Sequence, residues 1–137
     1  MTKLFLVLGI VFSCGLLFTA YSQERKDIPP DIKIPLAADT LSNPLKIDKT
    51  TLRKGARLYQ KLCWTCHGDY GFGDGPQASE IETKVLSFKD SIVIERTDGA
   101  LYWWIYNGGP DMKGYKETIN NTDIWRLVAF TRYLQNR

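Results

Sequence analysis

The spacing of apolar and polar residues predicts a helix that begins near Thr50. Asp48 or Thr50 can cap its N-terminus, because both side chains accept hydrogen bonds from free backbone N–H groups. Gly55 lies in the helix interior, where glycine costs about 1 kcal/mol relative to alanine. The close passage of another helix would explain it, and a simple lapse in helix propensity is the alternative. The apolar face follows a step of three or four residues and consists of Leu52, Ala56, Tyr59 and the Leu62/Cys63 pair.

Two further helices are predicted towards the C-terminus. The first has Thr97 as its N-cap and ends at Asn107-Gly108-Gly109-Pro110, because glycine and proline stop a helix. The last is capped by Asn121-Thr122-Asp123 and has too many apolar residues for a helix that packs against nothing. No stretch shows the alternation of a strand, so the pattern predicts an all-α domain of three main helices with long loops. The apolar residues of the last helix are Ile124, Trp125, Leu127, Val128, Phe130, Tyr133 and Leu134.

The chain divides into three segments, residues 1–22, 23–48 and 49–137. The first has a positive start at Lys3 and an apolar stretch from Leu4 to Ala20, a pattern typical of an export signal or a membrane anchor. Residues 23–48 contain four prolines, which favour an extended arm. This arm is either a flexible spacer or, as we favour, a segment whose apolar residues pack on the domain. The predicted helices all lie in residues 49–137, which form that domain.

Three fates of residues 1–22 are open. Cleavage after Ser22 is favoured, because Ala20 and Ser22 are small residues at the two positions before the cut where a signal-peptide cleavage site has small residues. Retention as an anchor comes second, since the 17 residues from Leu4 to Ala20 are at the short limit for a membrane span. Lipidation of Cys14 comes third. Each fate predicts a periplasmic domain, either free or anchored to the membrane by the N-terminal segment.

Composition and charge narrow the class of protein. The 44% hydrophobic and 12% aromatic fractions of this 137-residue chain are those of a globular domain with a core. The formal net charge is only +3, and no block of lysine and arginine stands out. Nucleic acid is therefore not an expected partner.

The run Cys63-Trp64-Thr65-Cys66-His67 has the spacing at which haem c is attached. Two thiols one helical turn apart can bond the two vinyl groups of one porphyrin, and His67 then supplies the proximal iron ligand. A thioredoxin-like redox pair would need a βαβ context. A zinc site would need a second ligand pair, and a structural disulfide would leave His67, the only histidine, unexplained.

A six-coordinate haem iron needs a second axial ligand opposite His67. The chain has no other histidine, and Met1 lies in the leader, so Met112 is the remaining sulfur ligand. It follows the predicted second helix in an irregular loop, where a side chain can be directed at a metal. Lys113 is the alternative ligand.

The region from Thr50 to Asn136 resembles the class I, single-haem c-type cytochromes. The resemblance rests on the Cys63–His67 motif, the glycine-rich loop ending at Pro76, the helix from Thr97 and the final helix after Met112. It implies a cytochrome c fold and a backbone carbonyl of Pro76 that accepts a hydrogen bond from His67. The chain has Met112-Lys113 where many members have Met-Pro, which is a departure from the pattern.

The expected function is electron transfer through one covalent haem c. With His67 and Met112 both on the iron, no open position would remain for a substrate, so the protein would be a carrier rather than an enzyme. Its expected partners are redox proteins that bind transiently. The alternative is a haem c subunit held stably in a periplasmic or membrane oxidoreductase complex.

Overall fold

A computed structural model describes residues 33–137, so the leader (1–22) and the start of the arm (23–32) lie outside the described residues. The described part is helical without a strand, which confirms the predicted all-α class. Three helices are long, and none of those described is long and apolar enough to cross a membrane. The elements are α1 (Leu36–Asp39), α2 (Lys49–Leu62), α3 (Trp64–His67), a 3-10 turn (Ala78–Glu80), α4 (Ser91–Ile94), α5 (Asp98–Asn107) and α6 (Asn121–Gln135).

Each long helix has a side chain that caps its N-terminus. Asp48 Oδ1 accepts hydrogen bonds from the backbone N–H groups of Thr50 at 3.0 Å and Thr51 at 2.8 Å, so Asp48 is the cap of α2. Thr97 caps α5, as predicted. The predicted cap of α6 was one position late, because Asn120 precedes the helix and its side chain accepts from the N–H of Asp123.

Helices α2 and α6 cross closely at Gly55. A Cβ atom at this position would lie 2.9 Å from Cβ of Phe130 and would also meet the backbone oxygen of Arg126, so only glycine fits here without a shift. Next to the crossing, Tyr59 packs against Phe130 with ring centres 5.3 Å apart. The close crossing therefore explains why a glycine lies in the helix interior, where it is less stable than alanine.

The end of the proline-rich arm packs on the domain. Ala38 of α1 is buried and its backbone oxygen lies against Gly99 of α5. The side chain of Asn43 donates to the backbone oxygen of Trp125 at 3.0 Å, and Leu45 joins the apolar cluster around Leu101, Trp125 and Val128. Residues 33–48 thus contact both α5 and α6 at a few positions, although most of their side chains are exposed.

Candidate haem-binding site

The two cysteines of the motif lie at the junction of α2 and α3. Cys63 is the C-cap of α2, with its N–H donating to the Tyr59 oxygen at 2.8 Å, and its own backbone oxygen accepts from Cys66 N and His67 N at 3.2 and 3.0 Å. This turn puts both free thiols on one side of α3. Burial, and secondarily the neighbouring Cys66, raises the pKa of the Cys63 thiol to about 12. Both cysteines line one cavity.

The imidazole of His67 is held with its two nitrogens in different surroundings. Nδ1 is buried and has no hydrogen-bond partner among the described residues. Nε2 is not buried in this way, and the His67 ring lines the cavity. Burial lowers the pKa of His67 to about 4, so the ring is neutral at pH 7, the form that binds a metal. The ring of Phe88 lies with its centre 4.8 Å from that of His67.

Pro76 ends the glycine-rich loop that folds back beneath this motif. The loop is tied to α3 by hydrogen bonds from Gly73 N to the His67 oxygen (3.0 Å) and from Gly75 N to the Cys66 oxygen (3.2 Å). No Cβ would fit at Gly75, where it would meet the backbone of Trp64 and Thr65. The predicted hydrogen bond from His67 to the Pro76 carbonyl is not formed in this structure, since Nδ1 has no partner among residues 33–137. The role of Pro76 remains a prediction from the resemblance.

Met112 lies on the same cavity as the motif. The cavity has a volume of about 370 Å³ and is mostly apolar in its lining. The Met112 loop leaves α5 at Gly108, whose φ of 81° favours glycine, and Gly109 N donates to the Met112 oxygen at 2.8 Å. Lys113, the alternative ligand, is exposed and also contacts the cavity. The structure thus brings together the motif and Met112, which are more than 40 residues apart in the chain.

Sequence reasoning did not find several residues that complete the cavity. Tyr115 is buried and contributes to the lining. Trp104 also lines it, and its Nε1 is a buried donor without a partner among the described residues. Such a role has no short sequence motif, because each residue reaches the cavity through the packing of its helix or loop. The other apolar lining residues not predicted as part of the site are Tyr59, Leu62, Ile81, Val85, Leu86, Val93, Leu101, Ile105, Pro110 and Leu127.

These residues fit a covalently attached haem. Haem c is attached in proteins through two cysteine thiols, and its iron takes imidazole and thioether ligands. The site contains all of these groups: two free thiols, an imidazole with an accessible nitrogen and a thioether. The mostly apolar lining matches a porphyrin ring. The unpartnered N–H of Trp104 could donate a hydrogen bond to a carboxylate of the haem. Cys63 and Cys66 would hold the group by two thioether bonds, and His67 and Met112, which line the same cavity, would offer a nitrogen and a sulfur ligand to its iron.

Comparisons with known proteins agree with this site. A family model described as Cytochrome c matches residues 52–135. Among solved structures, the chain is similar to a chain of the reducing HAO-like protein complex of Kuenenia stuttgartiensis, with 27% identity and a TM-score of 0.59 over 69% of this chain and 49% of that chain. The present chain therefore spans about half the length of that protein.

Two other solved structures are shorter or more distant matches. The KustC0563 c-type cytochrome has 25% identity and a TM-score of 0.52 over 59% of this chain and 96% of its own. Cytochrome CL of the marine methylotroph Methylophaga aminisulfidivorans has 20% identity and a TM-score of 0.51 over 68% and 57% of the two chains, which is a likeness of fold alone. No curated protein matches the chain.

The family match covers more than half of the chain and includes the whole motif and Met112. Its helical fold is the one that the described residues adopt. Members of this family bind haem c covalently and transfer electrons. By this match and by its fold, the chain belongs to the cytochrome c family.

Proposed function

We propose that the chain is a class I c-type cytochrome with a single haem c, attached at Cys63 and Cys66 and ligated by His67 and Met112. The observation that carries this proposal is the one cavity on which all four side chains lie. His67 is the only histidine, and Met112 is the only methionine outside position 1. The chain therefore offers one complete set of ligands, enough for one haem.

A carrier is the role that best suits these ligands. The iron of the haem would exchange one electron between its Fe(II) and Fe(III) states. With His67 and Met112 on the two axial positions, no position remains for a substrate, and the thioether sulfur of Met112 favours Fe(II). Phe88, Leu101 and Leu127 line the cavity with apolar atoms, and such a lining keeps water away and also favours the less charged, reduced state.

The proposed location is the periplasm, either as a free protein or as one anchored at the membrane. The support is the export-like pattern of residues 1–22 and the attachment of haem c, which is completed outside the bacterial cytoplasm. Partners there would be redox proteins that bind briefly, because a carrier must release each partner quickly. Small interfaces with polar rims permit such release.

A second candidate is a haem subunit bound stably within an oxidoreductase complex. The similarity to a chain of the reducing HAO-like protein complex, at 27% identity, favours this alternative. Isolation from membrane and soluble fractions, with identification of co-purifying proteins by mass, separates the two roles. A stoichiometric partner that remains through purification supports the subunit, and a monomer that exchanges electrons with several proteins supports the carrier.

The number of haems and their attachment are tested by intact mass. After acid extraction, the protein should have the mass of the polypeptide plus one haem, because Cys63 and Cys66 are the only cysteine pair with a following histidine. Replacement of both cysteines by alanine serves as the control and should give a chain that releases its haem in acid. A parent protein with the mass of the bare polypeptide would refute the proposal.

A further inference from the structure

Tyr115 connects the Met112 loop to the segment that carries the cysteines. Its hydroxyl donates to the backbone oxygen of Leu62 at 2.7 Å, across 53 positions of the chain. Its backbone N–H donates to the oxygen of Ile105 at 3.0 Å. The residue is 8% exposed and lies on the cavity with Met112, so it is a buried contact rather than a surface tether.

The acceptor of this hydrogen bond is a carbonyl at the C-terminal end of a helix. Leu62 is the last residue of α2, and the last four carbonyls of a helix have no partner within it. The carbonyl is also the one directly before Cys63. Loss of the hydroxyl would leave this part-buried carbonyl without its donor, which weakens the link between the loop and the end of α2.

A second contact on the other side of Met112 is weaker. The carboxylate of Asp111 accepts hydrogen bonds from the side chain and, at 3.3 Å, from the backbone N–H of Thr83. Asp111 is exposed, so water can replace these donors at little cost. Of the two contacts that flank Met112, the one made by Tyr115 therefore contributes more to the position of the loop.

We propose that Tyr115 is a positioning residue for the distal ligand, which it keeps at the iron by fastening the Met112 loop to the end of α2. This proposal rests on Met112 being the ligand. The covalent bonds at Cys63 and Cys66 fix the haem relative to the end of α2, and the Tyr115 hydroxyl binds the carbonyl next to Cys63. The haem and the loop would thus both be held at the end of α2. The loop is held there by Tyr115, three residues after Met112.

The rate at which the sulfur leaves Fe(III) measures this role. Imidazole binds the iron only after Met112 has left, so at saturating imidazole the observed rate equals the rate of opening. Tyr115→Phe removes the hydroxyl and keeps the ring, and we expect opening to become about tenfold faster, the equivalent of about 1.4 kcal/mol. The sulfur-to-iron charge-transfer band of the resting protein should persist.

Tyr106→Phe is the matched control. Tyr106 is a partly exposed tyrosine of α5 that stacks on Tyr102 and does not line the cavity, so its variant should open at the parent rate. Equal rates for Tyr115→Phe and Tyr106→Phe overturn the role of Tyr115. A parent protein without the charge-transfer band refutes Met112 ligation itself, and the positioning role with it.

If Tyr115→Phe yields no holoprotein, hydrogen exchange in the unaltered protein tests the proposal instead. The backbone N–H groups of Tyr115 and Lys116 both donate to residues of α5, so a fastened loop should protect them from hydrogen exchange as strongly as the end of α5. Protection of both supports the proposal. Exchange of both within seconds would show a loop that opens freely, which overturns it.

Discussion

At the scale of single residues, the site depends on side chains that the chain contains once. His67 is the only histidine and Met112 the only methionine after position 1, and both contact one cavity. Their different chemistry suits the proposed roles. Burial holds His67 in its neutral form, with a pKa near 4, and the neutral sulfur of Met112 is a soft donor that favours Fe(II) over Fe(III).

The proposed distal ligand can be removed by Met112→Ala. Water or an amine would then occupy the open position, and since these harder donors favour Fe(III), the reduction potential should fall. The variant should also bind carbon monoxide or cyanide readily, as followed by absorption spectroscopy and redox titration. Helix content should change little, because the thioether bonds at Cys63 and Cys66 and the bond from His67 remain.

Lys113→Ala is the control for that experiment. Lys113 is adjacent to Met112, exposed, and the alternative ligand. If Met112 is the ligand, the Lys113→Ala protein keeps the spectrum and potential of the parent. The opposite result, with a parent-like Met112→Ala and an altered Lys113→Ala, would assign the distal position to the lysine.

At the scale of helices, the crossing of α2 and α6 supports the haem site. Helix α2 leads directly into Cys63, and Leu127 of α6 lines the cavity. Tyr59 and Leu127 are almost fully buried in the same apolar cluster. The distance between the two helices therefore sets both the packing of the core and the wall of the cavity.

Gly55→Ala should disturb this crossing. The new Cβ would lie 2.9 Å from Cβ of Phe130, so the helices must move apart, and overpacking of this kind lowers the free energy of unfolding by about 1–3 kcal/mol. Guanidinium titration followed by circular dichroism measures the change. Lys54→Ala, on the exposed side of the same helix, should stay within about 0.5 kcal/mol of the parent.

The direction in which Gly55→Ala changes the free energy of unfolding distinguishes a tight helix crossing from an open helical position. At an open helical position, alanine is more favourable than glycine by about 1 kcal/mol. A Gly55→Ala protein that is more stable than the parent would thus contradict a tight crossing. A less stable protein with an unchanged Lys54→Ala control supports it.

At the scale of the whole molecule, positive charge is concentrated on α2 and the residues just before it, although the sequence has no unbroken block of lysine and arginine. Residues 46–61 contain six lysines and arginines but only one carboxylate, Asp48, which caps the helix. The ion pairs of the described residues lie elsewhere, between Arg126 and Asp123 and between Arg132 and Asp98. The outer face of α2 is therefore a basic surface that any docking experiment must take into account.

We expect redox partners to dock around the haem edge, where the contact residues would be Phe72, Met112, Lys113 and Lys116. Phe72 is 46% exposed, Met112 is partly buried, and both lysines are exposed. An apolar centre with a charged border gives fast, weak association. Lys113→Glu combined with Lys116→Glu should slow electron exchange with an acidic partner and flatten its dependence on salt, as measured by stopped-flow kinetics.

Charge reversal on α2 is the matched control for those residues. Lys49→Glu with Arg53→Glu changes the net charge by the same amount, at exposed positions of the helix. If partners dock around the haem edge, this control should slow the reaction less than the Lys113/Lys116 pair. Equal effects of the two pairs would mean that net charge alone steers the partner, and unchanged rates in both at low salt would exclude both surfaces.

The sequence alone determined the attachment motif and the main helices. Spacings of three to four residues act within a single turn, so the Cys63–His67 motif, the buried faces and the cap at Thr97 are visible in the chain itself. For α2 the sequence left Asp48 and Thr50 as alternative caps, and the structure has Asp48. The same local reasoning put the α6 cap one residue late, because Asn120 and its polar neighbours are all good caps. It also did not predict the four-residue helices α1, α3 and α4, which are too short to show a period; α1 lies in the arm that its prolines predicted to be extended.

Only the tertiary structure decided what surrounds the motif. The hydrogen bond from Tyr115 to Leu62 joins residues 53 positions apart, and the arm bonds Trp125 through Asn43, 82 positions away. No local pattern encodes such contacts, since they follow from how helices and loops pack. For the same reason the sequence did not single out Trp104 or Tyr115, whereas the fold places both on the cavity with His67 and Met112.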